Sequence, residues 1–330
     1  DNFSARGTLN LNLFKGFKLT ANVGYDLSNM RMTDHMNQLH GDASKVGGRT
    51  YKSNARMQSF TANQIANYGT SIGAHSFDVM VGHETYSFIY NYDFTHKYKF
   101  YTLGNPEFSN AITMADMNSY TNEHSMESYF SRLNYDYNDK YYFSASLRTD
   151  SSSKFHPDHR RGTFWSVGAS WRMTQEEWLK DVKWLSDMKI RASYGITGNN
   201  NIGDYAAIGI MENANYVLGT GTGNIVNGAA QKSFSNADLT WEKTRQTDLG
   251  FEISVLDSHL SLSLDLYYRK TTDLLMNVDI PTITGFDKAM QNIGKMRNKG
   301  LEITLSGTPF RNKDFTWVAT GNISVNRNKV

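Results

Sequence analysis

The sequence has 330 residues, with 34 Lys and Arg against 32 Asp and Glu, no cysteine, and 19 Tyr, 18 Phe and 6 Trp. The absence of cysteine excludes thiol catalysis, disulfides, iron–sulfur clusters and cysteine zinc sites, and the balanced charge offers no electrostatic footprint for nucleic acid. A mean hydropathy of −0.54, without an apolar run of 18 residues, excludes membrane-spanning helices but not a membrane β-barrel. The chain begins at Asp1 without an initiator Met or signal peptide, so we expect it to be part of a longer protein.

Alternation of apolar and polar residues with period two is the main pattern, and it begins with a hairpin. Residues 3–13 and 17–27 each carry one apolar and one polar face, on either side of a turn at Lys15-Gly16. The same pattern predicts two weaker candidate strands at 56–68 and 76–90. It predicts further strands at 133–137, 143–150, 165–171, 188–194, 249–255, 260–268, 301–305 and 315–325. We therefore predict an all-β fold: an antiparallel up-and-down meander of about twelve strands, whose edge strands lie near 3–13 and 315–325.

The connections between these strands alternate in length. The short ones are 14–17, 69–75, 138–140, 256–259 and 307–313, and the long ones are 29–55, 91–124, 151–162, 196–239 and 271–291. Short periplasmic turns and long extracellular loops are typical of an outer-membrane barrel. The alternation alone also fits a soluble β-sandwich or solenoid, but the sorted loop lengths favour the barrel. One short-side connection differs: Thr174-Gln175-Glu176-Glu177 has the pattern of a capping box, which predicts a short amphipathic helix over 174–185.

The barrel interpretation predicts which side chains face the lipid. The side chains expected on the outer, lipid-facing side are Leu9, Leu11, Leu19, Val23, Ala145, Leu147, Val167, Ile190, Leu249, Ile253, Leu262, Leu264, Ile303 and Trp317. Those expected on the opposite, inner side are Arg132, Arg148, Lys189, Arg191, Asp248, Asp265 and Glu302. If the leucines were instead buried against a second sheet, a sandwich would replace the barrel.

Six stretches over residues 125–330 resemble, in order and spacing, the SusC/RagA family of TonB-linked outer-membrane transporters of Bacteroidetes. They are 129–143 (YFSRLNYDYNDKYYF), 145–155 (ASLRTDSSSKF), 171–178 (WRMTQEEW), 188–203 (MKIRASYGITGNNNIG), 239–250 (LTWEKTRQTDLG) and 292–302 (NIGKMRNKGLE). Ser151 stands where the family's Arg-x-Asp-Gly-Ser-Ser-x-Phe element usually has glycine. Residues 1–124 are similar to the family only in style.

The resemblance implies a fold, a location and partners. It implies that residues 1–330 are one domain and form part of a 22-stranded barrel in the bacterial outer membrane. It also implies that this part of the barrel is open or imperfectly closed, and that it lacks the plug, the TonB box and the terminal strands. It also implies uptake of oligosaccharides or peptides, energised by a TonB–ExbB–ExbD complex acting on the plug, with a SusD-like surface lipoprotein as the lid. The alternatives are a TonB-dependent siderophore or vitamin receptor, and a soluble all-β carbohydrate-binding protein or enzyme.

The candidate substrate-binding residues lie in the polar, turn-prone stretch 198–205, where amide donors and a ring suit sugar hydroxyls: Asn199, Asn200, Asn201 and Tyr205. Structural packing against the barrel wall is the competing interpretation of this stretch. The aromatic-dense stretch containing Tyr86, Phe88, Tyr90 and Tyr92 offers stacking platforms, an interfacial girdle or a lid contact. We expect no catalytic centre, no metal and no cofactor.

Other patterns have simpler explanations. His156 and His159 lack a third metal ligand nearby in sequence. The carboxylate pairs Asp265 with Asp273 and Glu242 with Asp248 fit a polar barrel interior better than a glycosidase, and the glycine-rich 219–223 fits a loop. His35 and His40 lie in a Met-rich loop that we expect to pack on a neighbour or a lid.

Overall fold

The computed structural model describes residues 1–218 and 225–330, and the glycine-rich 219–223 lies outside the described residues. The strands are β1 (Asn2–Phe14), β2 (Phe17–Met36), β3 (Arg49–Ile72), β4 (His75–Phe100), β5 (Ala111–Tyr137), β6 (Tyr141–Ser152), β7 (Arg161–Arg172), β8 (Leu185–Asn199), β9 (Met211–Asn213), β10 (Tyr216–Val217), β11 (Ile225–Val226), β12 (Ala229–Gln231), β13 (Glu242–Val255), β14 (Leu260–Thr272), β15 (Leu275–Asp279), β16 (Lys288–Asn292), β17 (Lys295–Arg311) and β18 (Thr316–Lys329). The described helical turns are all of the 3₁₀ type: Asp42–Val46, Phe108–Asn110, Pro157–His159, Met173–Gln175 and Thr282–Thr284. None of the described helices is long and apolar enough to cross a membrane.

Twelve of these strands form one antiparallel sheet, as predicted. Its order is β1-β2-β3-β4-β5-β6-β7-β8-β13-β14-β17-β18, and the sheet is not closed, because β1 and β18 stand at the two ends of the order in the described part of the chain. The order follows the sequence except where β9 with β12, β10 with β11, and β15 with β16 form two-stranded sheets of their own. These small sheets fall within the predicted long connections 196–239 and 271–291.

Two of the predicted long loops are wrong. Most of 29–55 and 91–124 is strand, since β2 runs to Met36, β3 starts at Arg49, β4 runs to Phe100 and β5 starts at Ala111. From Met114 to Thr121 every residue is exposed, so neither face of this part of β5 is buried. A strand with two exposed faces has no apolar–polar alternation, and sequence periodicity therefore cannot detect it.

The predicted helix over 174–185 is also wrong. The segment contains a 3₁₀ turn and then three-residue turns, in which the amides of Leu179 and Val182 donate to carbonyls three residues earlier at 3.0 and 3.1 Å. The capping box does not form, because its side chains have other partners. The Thr174 hydroxyl donates to Asp187 at 2.9 Å, and Glu177, the acidic residue of the capping box, accepts from Lys180 at 2.5 Å. The neighbouring Glu176 carboxylate accepts from Lys140 at 3.0 Å and from Tyr141 at 2.7 Å.

The chain divides into two compact units. The first comprises Asp1–Asn10, Thr20–Gln64 and Glu84–Glu127, and the second comprises Leu11–Leu19, Ile65–His83 and Ser128–Val330. In the second unit the fully buried apolar side chains gather at the loop-bearing end rather than along the sheet. These buried side chains are Phe155, Phe164, Ile202, Ala207, Leu239, Trp241 and Ala289, of which Phe155, Leu239 and Ala289 are the most deeply buried.

The sheet of the second unit carries one continuous apolar face. Leu249 stands opposite Leu266, Leu266 opposite Leu301, and Leu301 opposite Val325, and directly opposed residues share a face. The next row is Phe251, Leu264, Ile303 and Ile323. No second layer covers this face in the described chain: of the twelve side chains of this unit that are predicted to meet lipid, six are exposed, six are half-buried and none is buried. The other two predicted side chains, Leu9 and Val23, belong to the first unit and are also exposed.

The height of this apolar face matches a bilayer. Along β17 it extends from Leu301 to Phe310, whose ring stacks on Trp317 with centroids 6.1 Å apart. Nine strand rises of about 3.3 Å, tilted by about 40° as in outer-membrane barrels, give a height of about 23 Å. An apolar band in such barrels is about 25 Å tall and ends in aromatic residues.

Candidate functional site

The opposite face of the same strands is polar, and Arg191 on β8 bridges two carboxylates there. Its Nε donates to Glu252 Oε1 at 2.9 Å, and an Nη donates to Asp265 Oδ1 at 2.5 Å. Gly250 lies between Arg191 and Asp265 in the register. A β-carbon at Gly250 would stand 2.5 Å from Arg191 Nε, so the missing side chain lets the guanidinium cross β13 and reach β14.

Two pockets open on this polar face. One, of about 690 Å³, is lined by charged, amide and hydroxyl side chains of β8, β13, β14, β17 and β18, among them Arg191, Asp248, Arg269 and Asn326. The other, of about 1050 Å³, lies toward the short turns and is lined partly by Lys15, Asp78 and Tyr142. Side chains of this kind can exchange hydrogen bonds with polar molecules, and the space suits a ligand of several rings or residues.

The loop-bearing end of the second unit is built on an aromatic core. The Trp241 ring lies 5.4 Å from both Phe155 and Phe164, measured between centroids, and its Nε1 donates to the Arg160 carbonyl at 2.9 Å. Gly198 is the close-approach point, because a β-carbon there would lie 2.0 Å from Phe164 Cζ. This core holds the 151–160 loop and the first part of the 196–239 loop in place.

The predicted substrate-binding residues divide between this packing and solvent. Asn199 Nδ2 donates to Glu242 at 3.3 Å and its Oδ1 accepts from the amide of Asn201 at 3.1 Å. Asn200 Nδ2 donates to Ser152 Oγ at 3.1 Å. Asn199 and Asn201 are exposed, whereas Asn200 and Tyr205 are half-buried. All four residues lie at one loop, and Asn199 and Asn201 are the more accessible to a ligand.

Lysine 154 fixes this loop, and sequence reasoning did not single it out. Its Nζ donates to the Ile202 carbonyl at 3.1 Å and lies 3.5 Å from Asp204 Oδ1, with both charged side chains 16% exposed. Lys154 lies in one stretch that carries the family resemblance and Asp204 directly follows another. The two residues are 50 positions apart, and a single sequence does not reveal their pairing.

The first unit contains a cluster of aromatic side chains. The hydroxyls of Tyr51 and Tyr92 are 2.5 Å apart, and the Tyr92 ring lies 5.4 Å from Tyr120 and 6.1 Å from Tyr90. Alternation along β4 places Tyr90 and Tyr92 on the strand face that carries Glu84. The rings of Tyr90 and Tyr92 are half-buried and so present part of their surface.

The histidines and carboxylates that the sequence analysis weighed as metal or catalytic candidates contact other protein groups. His156 lies 3.3 Å from Asp158, and the described residues contain no group of three or more potential metal ligands. Asp265 pairs with Arg191, as described above, and Glu242 accepts from the amide of Leu275 at 3.2 Å. His35 Nδ1 lies 2.6 Å from the Thr50 hydroxyl.

Comparison with known proteins places this architecture. The family described as TonB dependent receptor-like, beta-barrel matches residues 1–329. The chain belongs to this family. Such receptors lie in the outer membrane, so the exposed apolar face of the second unit is its lipid-facing surface.

Two curated receptors of this family are similar to the chain. It is 32% identical over 330 residues to TonB-dependent receptor P39 of Formosa agariphila, an alignment covering 98% of this chain and 31% of that protein. It is 37% identical over 275 residues to TonB-dependent receptor SusC of Bacteroides thetaiotaomicron, covering 81% of this chain and 27% of that protein. The chain thus spans about a third or less of the length of these receptors.

Solved receptor structures share the fold. The RagAB peptide transporter superposes with a TM-score of 0.90 at 29% identity, over 99% of this chain and 36% of that one. The siderophore receptor PiuA of Acinetobacter baumannii superposes with a TM-score of 0.58 at 13% identity, over 99% of this chain and 46% of that one. The second likeness shows the fold alone.

Proposed function

We propose that this chain is the barrel portion of a TonB-dependent importer of oligosaccharides or peptides. The observation that carries the proposal is the pairing of an exposed apolar face with a polar face that holds two pockets, in a chain that superposes on a peptide transporter with a TM-score of 0.90. A siderophore or vitamin receptor is less well supported, because the likeness to PiuA extends to the fold only.

The proposed partners follow from the relatives. RagAB is named as a peptide importer and SusC as a TonB-dependent receptor, and we infer that this receptor works with a SusD-like surface lipoprotein and with TonB–ExbB–ExbD acting on a plug. Import by such an assembly requires binding and release rather than covalent chemistry. We therefore also propose that the receptor has no catalytic centre.

We propose that the 198–205 loop contributes part of the substrate contact, through Asn199, Asn200, Asn201 and Tyr205. The exposed amide of Asn201 can turn toward a ligand hydroxyl or peptide group, and Asn199 can exchange its bond to Glu242 for one to the ligand. Asn200 holds the loop through its bond to Ser152, and the half-buried Tyr205 presents part of its ring. The tyrosines of the first unit suit stacking against sugar rings, because an aromatic face binds apolar C–H surfaces.

The test compares growth and binding for the full-length receptor. A strain lacking the receptor gene is complemented with wild type, with Asn201→Ala, or with Asn12→Ala, a matched loss of an exposed amide at the short-turn end of β1. Growth is measured on a panel of defined oligosaccharides and on a peptide mixture as sole nutrient sources. Binding of the purified receptor to each is measured by calorimetry.

We expect wild type to support growth on at least one oligosaccharide or peptide, and Asn201→Ala to weaken binding several-fold without abolishing growth, because contacts are spread over many loops. Asn12→Ala should resemble wild type. The proposed function is contradicted if the receptor supports growth only when a ferric siderophore or a vitamin is the limiting nutrient. It is also contradicted if the purified receptor converts an oligosaccharide into products. Equal binding by Asn201→Ala and wild type contradicts only the loop assignment.

A further inference from the structure

The apolar face of the second unit ends, at the loop-bearing end, in two rows of cations. The strand register sets one basic residue opposite another across β13, β14, β17 and β18. The upper row is Arg245, Lys270, Arg297 and Lys329, and the row below it contains Lys299 and Arg327 beside Thr247 and Tyr268. We call these six side chains the cationic rows. They lie on the same face as the leucines, since each is an even number of residues from Leu249, Leu266, Leu301 or Val325.

The cationic rows are exposed and uncompensated. Five of the six side chains are exposed and Arg245 is half-buried, and within the described residues none of them forms an ion pair. Lys243 and Lys295 flank them one step farther along the strands, and no aspartate or glutamate stands in any of these rows. The polar face is different, since Arg191 there holds two carboxylates. Structural ion pairing therefore does not explain the cationic rows.

An apolar groove adjoins the cationic rows. It has a volume of about 530 Å³, its walls include Leu249, Leu266, Leu301 and Val325, and Lys299 and Arg327 line its charged end. A ligand that fills the groove and reaches both cations must be apolar over most of its length and anionic at one end.

The position of the cationic rows fixes the membrane leaflet. They begin where the 23 Å apolar band ends on the side of the long loops, which is the extracellular side in outer-membrane barrels. They therefore stand at the headgroup level of the outer leaflet, with the groove reaching into its acyl region. Basic residues at such a level attract anionic headgroups.

We propose that the cationic rows and the adjoining groove bind a phosphorylated glycolipid of the outer leaflet. Its phosphate groups would accept charge-assisted hydrogen bonds from the arginines and lysines, and one acyl chain would occupy the groove. The groove decides against an acidic protein segment, because such a segment would have to place charged side chains among leucines.

The test measures lipid retained by the full-length receptor extracted from its own outer membrane. A triple variant, Arg297→Gln, Lys299→Gln and Arg327→Gln, removes three charges from the cationic rows. The matched control, Lys183→Gln, Arg311→Gln and Lys313→Gln, removes three exposed charges at the short-turn end. Native mass spectrometry gives the number and mass of bound lipids, and gel migration of unheated against heated samples shows whether each barrel is folded.

Wild type and the control should retain at least one phosphorylated glycolipid per receptor, and the triple variant should retain at least fivefold less. Retention by the folded triple variant equal to that of wild type overturns the proposal, as does a wild type that retains none. Loss of a lipoprotein partner from the triple variant with lipid retention unchanged identifies an acidic protein as the occupant and also overturns it.

A second measurement applies if the triple variant does not fold. Delipidated wild type in detergent is titrated with lipid A, with dephosphorylated lipid A and with inorganic phosphate, and bound mass is followed. The account predicts at least tenfold tighter binding of lipid A than of the dephosphorylated form, and no saturable binding of phosphate alone. Equal binding of the two lipids contradicts the role of the cationic rows, and binding of phosphate alone contradicts the role of the groove.

Discussion

Leu264→Arg places a charge in the middle of the lipid-facing surface. Leu264 stands opposite Phe251 on one side and Ile303 on the other. It lies four residues from Leu260 at the short turn and four from Tyr268, which stands in the lower of the two cationic rows. An arginine at the bilayer midplane of a barrel costs about 2–4 kcal/mol. Because about 1.4 kcal/mol is a factor of ten in an equilibrium constant, we expect the folding equilibrium to fall by about 30- to 1000-fold.

Ser263→Arg is the matched control, because it introduces the same side chain one residue away on the opposite face. Ser263 stands opposite Glu252, which can pair with the new arginine, so the free energy of unfolding should change by no more than about 1 kcal/mol. The assay is denaturant unfolding of the full-length receptor folded into lipid vesicles, followed by tryptophan fluorescence, with outer-membrane abundance measured in cells. If Leu264→Arg and Ser263→Arg destabilise the receptor equally, the lipid-facing assignment is refuted.

Two further predictions concern close packing and charge. Gly198→Ala brings a β-carbon into the Phe164 ring and should lower the free energy of unfolding by about 1–3 kcal/mol. Gly203→Ala is the control, because its β-carbon meets no atom within 4 Å, and it should change the free energy of unfolding little. Equal effects of the two variants would contradict the close packing of residue 198 on Phe164. The hydrogen bond from Tyr141, followed by that from Lys140, lowers the pKa of the Glu176 carboxyl below its ordinary value of 4.5. The ionised carboxylate therefore stabilises the folded state at pH values above 4.5, and this stabilisation is lost as the pH falls through the lowered pKa. The stability difference between wild type and Glu176→Gln, measured by denaturant titration at several pH values, should therefore be largest near neutrality and shrink in acid, and a difference that grows in acid would contradict this prediction.

The sequence reveals a strand where lipid imposes a periodic pattern on it. Residues 249–255 and 260–268 alternate because one face meets lipid and the other meets polar groups, and both are strands. The part of β5 from Met114 to Thr121 has no such pattern, since both of its faces are exposed. The helix predicted over 174–185 fails because Glu176 and Thr174 bond to side chains distant along the chain, which local spacing does not reveal.

The candidate site was predictable only in part. The stretch 198–205 stands out by composition, and the structure does bring its residues to one loop. The bonds that hold this loop, from Lys154 to Ile202 and from Asn200 to Ser152, each join residues 48 positions apart. The cationic rows likewise become visible only when the register aligns Arg245 with Lys270 and Arg297, because these residues belong to three different strands.

The most direct test of the central claim, that this chain is the lipid-embedded wall of a barrel, is spin-label accessibility along β17 of the full-length receptor in lipid vesicles. Labels are placed singly at the six consecutive positions 301–306, and collision rates are measured with oxygen, which concentrates in lipid, and with a water-soluble nickel chelate. We predict strict alternation, with Leu301, Ile303 and Leu305 accessible to oxygen and residues 302, 304 and 306 accessible to nickel. Labels at the three apolar positions that are shielded from oxygen, as between two packed sheets, would contradict it.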